Sequence, residues 1–276
     1  MKVIQAKSAG FCYGVQRAVE LAEQTARERG GCVMLGSIIH NAHVVQHLEQ
    51  LGAHQVAGPE EIRPGDTVLI RAHGEKKQVI GHLKDIGAEC VDATCPNVLR
   101  VQQIVAQADA EGRVPIIIGD PNHPEVMGVA SWSAHSVVFE GAEALQRWLD
   151  EDPARRELPL TAVAQTTCIR IIWDGAAEIL KKQCTNAKIF DTICNATHKR
   201  QSEAAELASQ VDVMVVVGDR KSANTKHLTE ICSRQCPAVY QIERAEELKR
   251  DFLTGCSVAG LTAGASTPAG IIKEVY

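Results

Sequence analysis

Short apolar runs alternate with longer amphipathic stretches along the whole chain. VIQA (3–6), CVML (32–35), TVLI (67–70), PIII (115–118), TAVA (161–164), VMVVV (213–217) and SVAGL (257–261) are brief and nearly unbroken in Val, Ile, Leu and Ala. Unbroken apolar character predicts strands buried on both faces, as in parallel sheets. Between them, apolar residues recur at helical spacing. After Cys95 they fall at Val98, Val101, Ile104, Val105 and Ala108, which predicts an amphipathic helix. Strands alternating with helices predict an α/β protein with mainly parallel sheets.

The pattern repeats. Cys12 stands in GFCYGVQRAVELAEQ, Cys95 in ATCPNVLRVQQIVAQA and Cys194 in TICNATHKRQSEAAELA, each opening a predicted helix. Counting 24 residues on reaches Gly36, Gly119 and Gly218, each closing an apolar strand, and 28 residues on reaches His40, His123 and Ser222. A preference for glycine at strand ends would explain the glycines but not a cysteine at a fixed offset from each. A further strand in each unit ends in a polar loop: LIRAHG with His73, VAQTTC with Thr166 and Thr167, GLTAGAST with Ser266. Length alone implies about two domains. The repeat instead predicts three pseudo-threefold-related α/β units: 14–96, 97–193, and 194–276 together with 1–13. The polar residues all sit at carboxyl ends of strands, where parallel α/β sheets collect ligands.

Composition narrows the field. With 276 residues, 45% of them hydrophobic, the chain can build a real core. A net charge of −5 and the lack of a long basic stretch argue against nucleic-acid binding. No apolar run reaches membrane-spanning length, and MKVIQAKSAG lacks the apolar segment of a signal peptide. A cytoplasmic setting is therefore expected. Ten cysteines in a reducing compartment point to metal binding or catalysis more than to a disulfide framework. No CxxC occurs. Cys32 and Cys90 lie in or beside apolar stretches, and Cys168, Cys184, Cys232, Cys236 and Cys256 break the repeat; these seven read as core or incidental.

A cysteine at a helix N-terminus has its thiolate stabilised by the helix dipole. Three such cysteines converging on one axis are one ligand short of a closed zinc or iron–sulfur site. The loops at His40-Asn41, Ser222-Ala223-Asn224 and Ala265-Ser266-Thr267 offer amides, hydroxyls and amide side chains suited to phosphate oxygens. His40, His73 and His123 add donors and partial positive charge. GDPNHPEV (119–126) has two readings on its own residues. One is a helix start, with Pro124 at the first position and Glu125 near the positive end of the dipole. The other is an acid/base or anion site.

GFCYGV, IHNAHVV, RAHG, DATCP, GDPNHPEV, QTT, TICNAT and TAGAST occur in the order found in the LytB family of 4-hydroxy-3-methylbut-2-enyl diphosphate reductases. The resemblance runs from residue 1 to about residue 270. It implies three α/β units around a central 4Fe-4S cluster held by Cys12, Cys95 and Cys194, with a fourth iron lacking a protein thiolate. It implies a branched five-carbon allylic alcohol carrying a diphosphate as substrate. The diphosphate would lie on His40, His73, His123, Ser222, Asn224 and Ser266. Ala223 stands where many relatives have a serine and would contribute its backbone amide. Glu125, with Thr166 and beside His123, would relay protons to the hydroxyl end, and Thr197 would line the same cavity. The implied reaction is reductive dehydroxylation to isopentenyl and dimethylallyl diphosphate, the last step of the non-mevalonate isoprenoid pathway. Two electrons would come singly from an external donor such as ferredoxin or flavodoxin. Relatives usually continue past the position of IIKEVY (271–276), so a shortened last helix is expected. The competing reading is a non-enzymatic iron–sulfur sensor that binds a phosphorylated metabolite; it needs the cysteines but not Glu125.

Overall fold

The computed structural model covers residues 1–276 and contains three four-stranded sheets in which every pairing is parallel. The chain begins with β1 (Lys2–Gln5), which waits for partners from the far end of the sequence. The first sheet follows: α1 (Tyr13–Arg29), β2 (Cys32–Leu35), α2 (Ala42–Gln50), β3 (Ala53–Val56), β4 (Thr67–Ile70), α3 (Lys77–Asp85) and β5 (Glu89–Asp92). The second comprises α4 (Pro96–Ala110), β6 (Val114–Ile118), α5 (Pro124–Ala130), β7 (Val137–Phe139), α6 (Ala142–Glu151), β8 (Leu160–Ala164), α7 (Arg170–Gln183) and β9 (Ala187–Ile189). The third comprises α8 (Asn195–Ala208), β10 (Val213–Val217), α9 (Ala223–Ser233), β11 (Val239–Ile242), β12 (Val258–Ala263) and α10 (Ala269–Val275).

The strand orders are β3-β2-β4-β5, β7-β6-β8-β9 and β11-β10-β12-β1. They are one topology used three times, with β1 closing the third sheet. In each sheet the order reverses between the two inner strands, so the loops leaving them diverge and open a crevice. No helix is long and apolar enough to cross a membrane.

Helices cover both faces of each sheet. In the first, Cys32 and Met34 pack with Ala18, Leu48 and Leu69 on one side. Val33 and Leu35 pack with Val68, Ile70 and Leu83 on the other. Successive strand residues point to opposite faces, so burial on both demands an apolar residue at every position. All six inner strands are among the seven expected, and β10 is buried throughout. The five strands not singled out by pattern, β3, β5, β7, β9 and β11, are edge strands with partly exposed residues. On an edge, the apolar run breaks because some side chains meet water. α4 buries Val98, Val101, Val105 and Ala108, as its spacing predicts.

The strand-closing glycines Gly36, Gly119 and Gly218 directly follow β2, β6 and β10. At Gly119 a side chain has no room: a Cβ would lie 2.7 Å from the Gln165 Cβ. The loops after β6 and β8 therefore approach closely, at the crevice of the second sheet. The CxxxC pair is core: Cys232 and Cys236 are buried in the third unit, and burial pushes the Cys232 thiol up to about 12.

Candidate active site

Each cysteine of the repeat is the residue immediately before a helix: Cys12 before α1, Cys95 before α4, Cys194 before α8. Each donates its N–H to the loop after an inner strand: Cys12 to the Ala265 carbonyl (3.3 Å), Cys95 to Ala72 (3.0 Å) and Cys194 to Thr166 (3.0 Å). The same bond made three times ties the three helix starts to three crevices. The residues following these acceptors are Ser266, His73 and Thr167.

These loops enclose one cavity of about 90 Å³. Its lining includes Cys12, Cys95, Cys194, His40, His73, His123, Glu125, Thr166, Thr197, Ser222, Ala223, Asn224 and Ser266. Two residues of the predicted anion loops lie outside it: Asn41 caps α2 by accepting the Val44 N–H, and the Thr267 hydroxyl donates to the Val217 carbonyl. The structure thus brings together residues from all three sheets.

Glu125 is the second residue of α5, after Pro124, and is 2% exposed. Its carboxylate accepts the Thr166 N–H (2.6 Å) and the Thr166 hydroxyl (2.8 Å). Burial raises its pKa to about 7, against the opposing pull of those two bonds. It can therefore carry a proton near neutral pH. The helix-start reading of GDPNHPEV is realised too. His123 caps α5, its Nδ1 accepting the Glu125 N–H (3.1 Å).

That cap decides a tautomer. With Nδ1 as acceptor, a neutral His123 carries its proton on Nε2 and is a donor there. The rings of His40, His73 and His123 form a cluster with centroids 4.5, 5.3 and 5.8 Å apart. Their nitrogens are close enough to consider a metal. A protonated Nε2 has no lone pair to give, so the capped His123 does not suit metal ligation, whereas an N–H donor suits an anion. The partial positive charge expected of these histidines is not realised in the cavity as it stands. Burial lowers the pKa of all three. His123 is held at about 4 by burial and then by His40; His73 is lowered well below its ordinary value by burial, His40 and His123. They are neutral donors at pH 7.

Around this cluster, buried polar atoms stand without partners: His40 Nε2, His73 Nδ1, Thr167 Oγ1, Asn224 Oδ1 and Nδ2, and Ser266 Oγ. Buried polar groups are nearly always hydrogen-bonded, so such a concentration in one cavity is the signature of a polar ligand site. Ser222 is partly used, accepting the Thr225 N–H as the cap of α9. Thr197 is buried in the first turn of α8 and also lines the cavity.

Thr167, named from the sequence at the polar end of β8, is the structural counterpart of His73 and Ser266, and like Ser266 it stands 72 residues after its unit's cysteine. Two polar lining residues were not among the sequence candidates. Asn97 and Arg200 lie on the helices that the cysteines open. Nothing in residue type or spacing separates them from ordinary helix residues.

A model of the LytB protein family matches residues 3–276. The chain belongs to the LytB family. It is 40% identical over 280 residues to 4-hydroxy-3-methylbut-2-enyl diphosphate reductase of Caldanaerobacter subterraneus, covering 100% of this chain and 95% of that one. It is 39% identical to the enzyme of that name from Helicobacter pylori, covering 100% and 97%. Among solved structures, (E)-4-hydroxy-3-methyl-but-2-enyl diphosphate reductase, described as the terminal enzyme of the non-mevalonate pathway, is 38% identical. It superposes with a TM-score of 0.70, covering 100% of this chain and 98% of that one. The Plasmodium falciparum E-1-hydroxy-2-methyl-but-2-enyl-4-diphosphate reductase is 26% identical with a TM-score of 0.93, covering 99% and 86%. The LytB fold is thus kept along the whole chain.

The donor set can be tested against the iron–sulfur group that LytB membership implies. Cys12, Cys95 and Cys194 are unpaired, partly accessible, and make no side-chain capping bond. Burial pushes the Cys95 thiol up, the Asn97 and Val98 amides pull it back, and Cys12 and Cys194 push it further up. Thiolates gathered this closely are stabilised by a shared cation. Helix α1 closes tightly on this triad: a Cβ on Gly14 would sit 2.4 Å from the Cys95 Sγ. The lining has no fourth cysteine. The residues fit a cluster held by three thiolates.

Proposed function

We propose that this LytB-family protein reduces 4-hydroxy-3-methylbut-2-enyl diphosphate to isopentenyl and dimethylallyl diphosphate, releasing water, as the last step of the non-mevalonate pathway. One observation carries the reading: a single cavity joins three thiols, a buried carboxyl with a pKa of about 7, and a ring of unpartnered polar atoms. Cys12, Cys95 and Cys194 would hold a 4Fe-4S cluster, which when bound supplies two electrons and a Lewis-acidic iron.

The chain's own residues do the rest. The diphosphate lies on His40, His73 and His123, on Ser222, Asn224 and Ser266, and on the Ala223 amide at the start of α9. Neutral imidazole N–H groups and uncommitted amide and hydroxyl groups bind it without a competing internal partner. Glu125 holds its proton on a carboxyl that Thr166 fixes through two bonds. It passes that proton to the departing hydroxyl oxygen, so water leaves instead of hydroxide. His123 links the two halves, since its Nδ1 fixes the Glu125 backbone while its Nε2–H faces the diphosphate. Two electrons and two protons balance the loss of water. The second proton ends on either of two carbons of the allylic frame, giving two products.

The electrons come from an external donor of the ferredoxin or flavodoxin kind, and ten unpaired cysteines support a reducing, cytoplasmic setting. The units 14–96, 97–193 and 194–276 with 1–13 belong to the same reading; the strands of each sheet fall within one of them. The test is anaerobic turnover of the reconstituted protein with hydroxymethylbutenyl diphosphate and a reduced viologen. Formation of both five-carbon diphosphates is expected. Protein with full iron and sulfide that gives no product would overturn the reading and favour the sensor.

A further inference from the structure

Two of the lining residues that sequence did not single out approach the thiols. Asn97 is the second residue of α4, and its Nδ2 donates to the Cys194 Sγ at 3.1 Å. The bond runs from the helix opened by Cys95 to the cysteine of the next repeat. Arg200 lies on α8 and is 3% exposed. Its Nε and Nη2 donate to the carbonyls of Ser8 (3.0 Å) and Gly10 (2.7 Å), just before Cys12. Its Nη1 is buried without a partner.

Arg200 is the only lysine or arginine lining the cavity, and it makes no ion pair. Its neighbour Glu203 is taken up by the Lys7 and Ser8 amides and the Ser8 hydroxyl. A buried guanidinium without a carboxylate is costly unless another negative group balances it. Cys12 and Cys194 are the first groups that favour its charged form, against the burial that opposes it.

We propose that Asn97 and Arg200 set the reduction potential of the metal centre held by Cys12, Cys95 and Cys194. Asn97 donates a hydrogen bond to one sulfur, and Arg200, held on the carbonyls just before Cys12, places a positive charge without an ion-pair partner in the cavity that the three cysteines line. The inference rests on the cluster reading given above. Reduction adds negative charge to the thiolate site, and both a sulfur-directed N–H and a buried cation stabilise the added charge. Both residues therefore raise the potential and make the centre easier to reduce. They act on the site without touching the substrate's reacting carbons.

The experiment is anaerobic redox titration of the reconstituted protein, with iron and sulfide measured in each sample. Asn97→Leu removes the donor. It is expected to lower the one-electron equilibrium constant about tenfold, a shift of about 59 mV to more negative potential. Asn97→Asp replaces the donor with a carboxylate and is expected to go further. Arg200→Met is expected to shift the same way, with Arg200→Lys lying nearer to wild type because charge is kept. Asn97 is surface-accessible, so its series decides the matter even if Arg200→Met fails to fold without its hold on the Ser8 and Gly10 carbonyls. Unchanged potentials in fully loaded Asn97→Leu and Asn97→Asp would overturn the proposal and leave the cluster reading standing. A wild-type protein that holds no iron and sulfide would overturn both. If Arg200→Met weakens binding of inorganic pyrophosphate but leaves the potential unmoved, Arg200 serves the anion and its part of the proposal falls.

Discussion

Replacing Glu125 by Gln should make the protein slower and, at high pH, more stable. The substitution keeps the shape. A Gln Oε1 can still accept the Thr166 N–H, and its Nε2 can donate to the Thr166 hydroxyl, which then accepts instead of donating. What is lost is the titrating proton. Burial raises the Glu125 pKa from 4.5 to about 7, and each unit corresponds to about 1.4 kcal/mol. The folded protein binds this proton more tightly than the unfolded chain. Wild type therefore loses stability as pH rises from about 4.5 to about 7, then levels off. The cumulative loss is about 3 kcal/mol, and Gln does not incur it. Urea unfolding of both proteins under identical anaerobic conditions at pH 4.5 and pH 8 should show the variant's relative stability growing by about that amount. In turnover, removing a general acid should lower kcat by about 10²- to 10⁴-fold with KM much less affected. Wild-type kcat/KM should fall about tenfold per pH unit above about 7, while the residual activity of the variant shows no break there. A stability difference that stays constant across pH would refute the raised pKa. Near-wild-type turnover would remove Glu125 from the proton relay.

Other outcomes follow from the same cavity. Asn224→Ala or Ser266→Ala should raise KM by about 10- to 100-fold with a smaller change in kcat, the effect of losing one hydrogen bond to a charged group; steady-state kinetics checks this, and an unchanged KM places the diphosphate elsewhere. Binding of inorganic pyrophosphate near pH 6 should take up protons, because an anion raises the pKa of His40, His73 and His123 from their lowered values. Calorimetry in buffers of different ionisation heat reads that uptake, and proton release would contradict the histidine cradle. Cys95→Ser should lose most bound iron. Gly14→Ala should do the same with Cys95 intact, since the new Cβ would lie 2.4 Å from its Sγ; full iron content in either variant would undo the ligand assignment.

The inner strands were readable because burial on both faces leaves no position free to be polar. The edge strands β5 and β9 were not, because exposed positions interrupt their apolar runs. The cysteine repeat and its offsets exposed the threefold plan, since equivalent units fold from equivalent spacing. They reached His40, His123 and Ser222 for that reason. Thr167 was legible beside Thr166 at a polar strand end, whereas Asn97 and Arg200 escaped because nothing in residue type or spacing marks a helix residue that lines a cavity shared with other units.

By itself, then, the order of residues determined the strand–helix alternation, the three helix-opening cysteines and the polar strand ends, all of which are local or periodic properties. The folded arrangement decided what depends on distance between residues far apart in the chain. It buried Glu125, whose carboxylate Thr166 holds from 41 positions away, and that burial raises its pKa to about 7 against the pull of the Thr166 bonds. It gathered the rings of His40, His73 and His123, far apart in the chain, into one cluster. It buried Arg200 without a carboxylate, 188 positions from Cys12 in sequence but beside it in space. Burial and Coulomb interactions depend on the neighbours in three dimensions, which spacing along the chain does not encode.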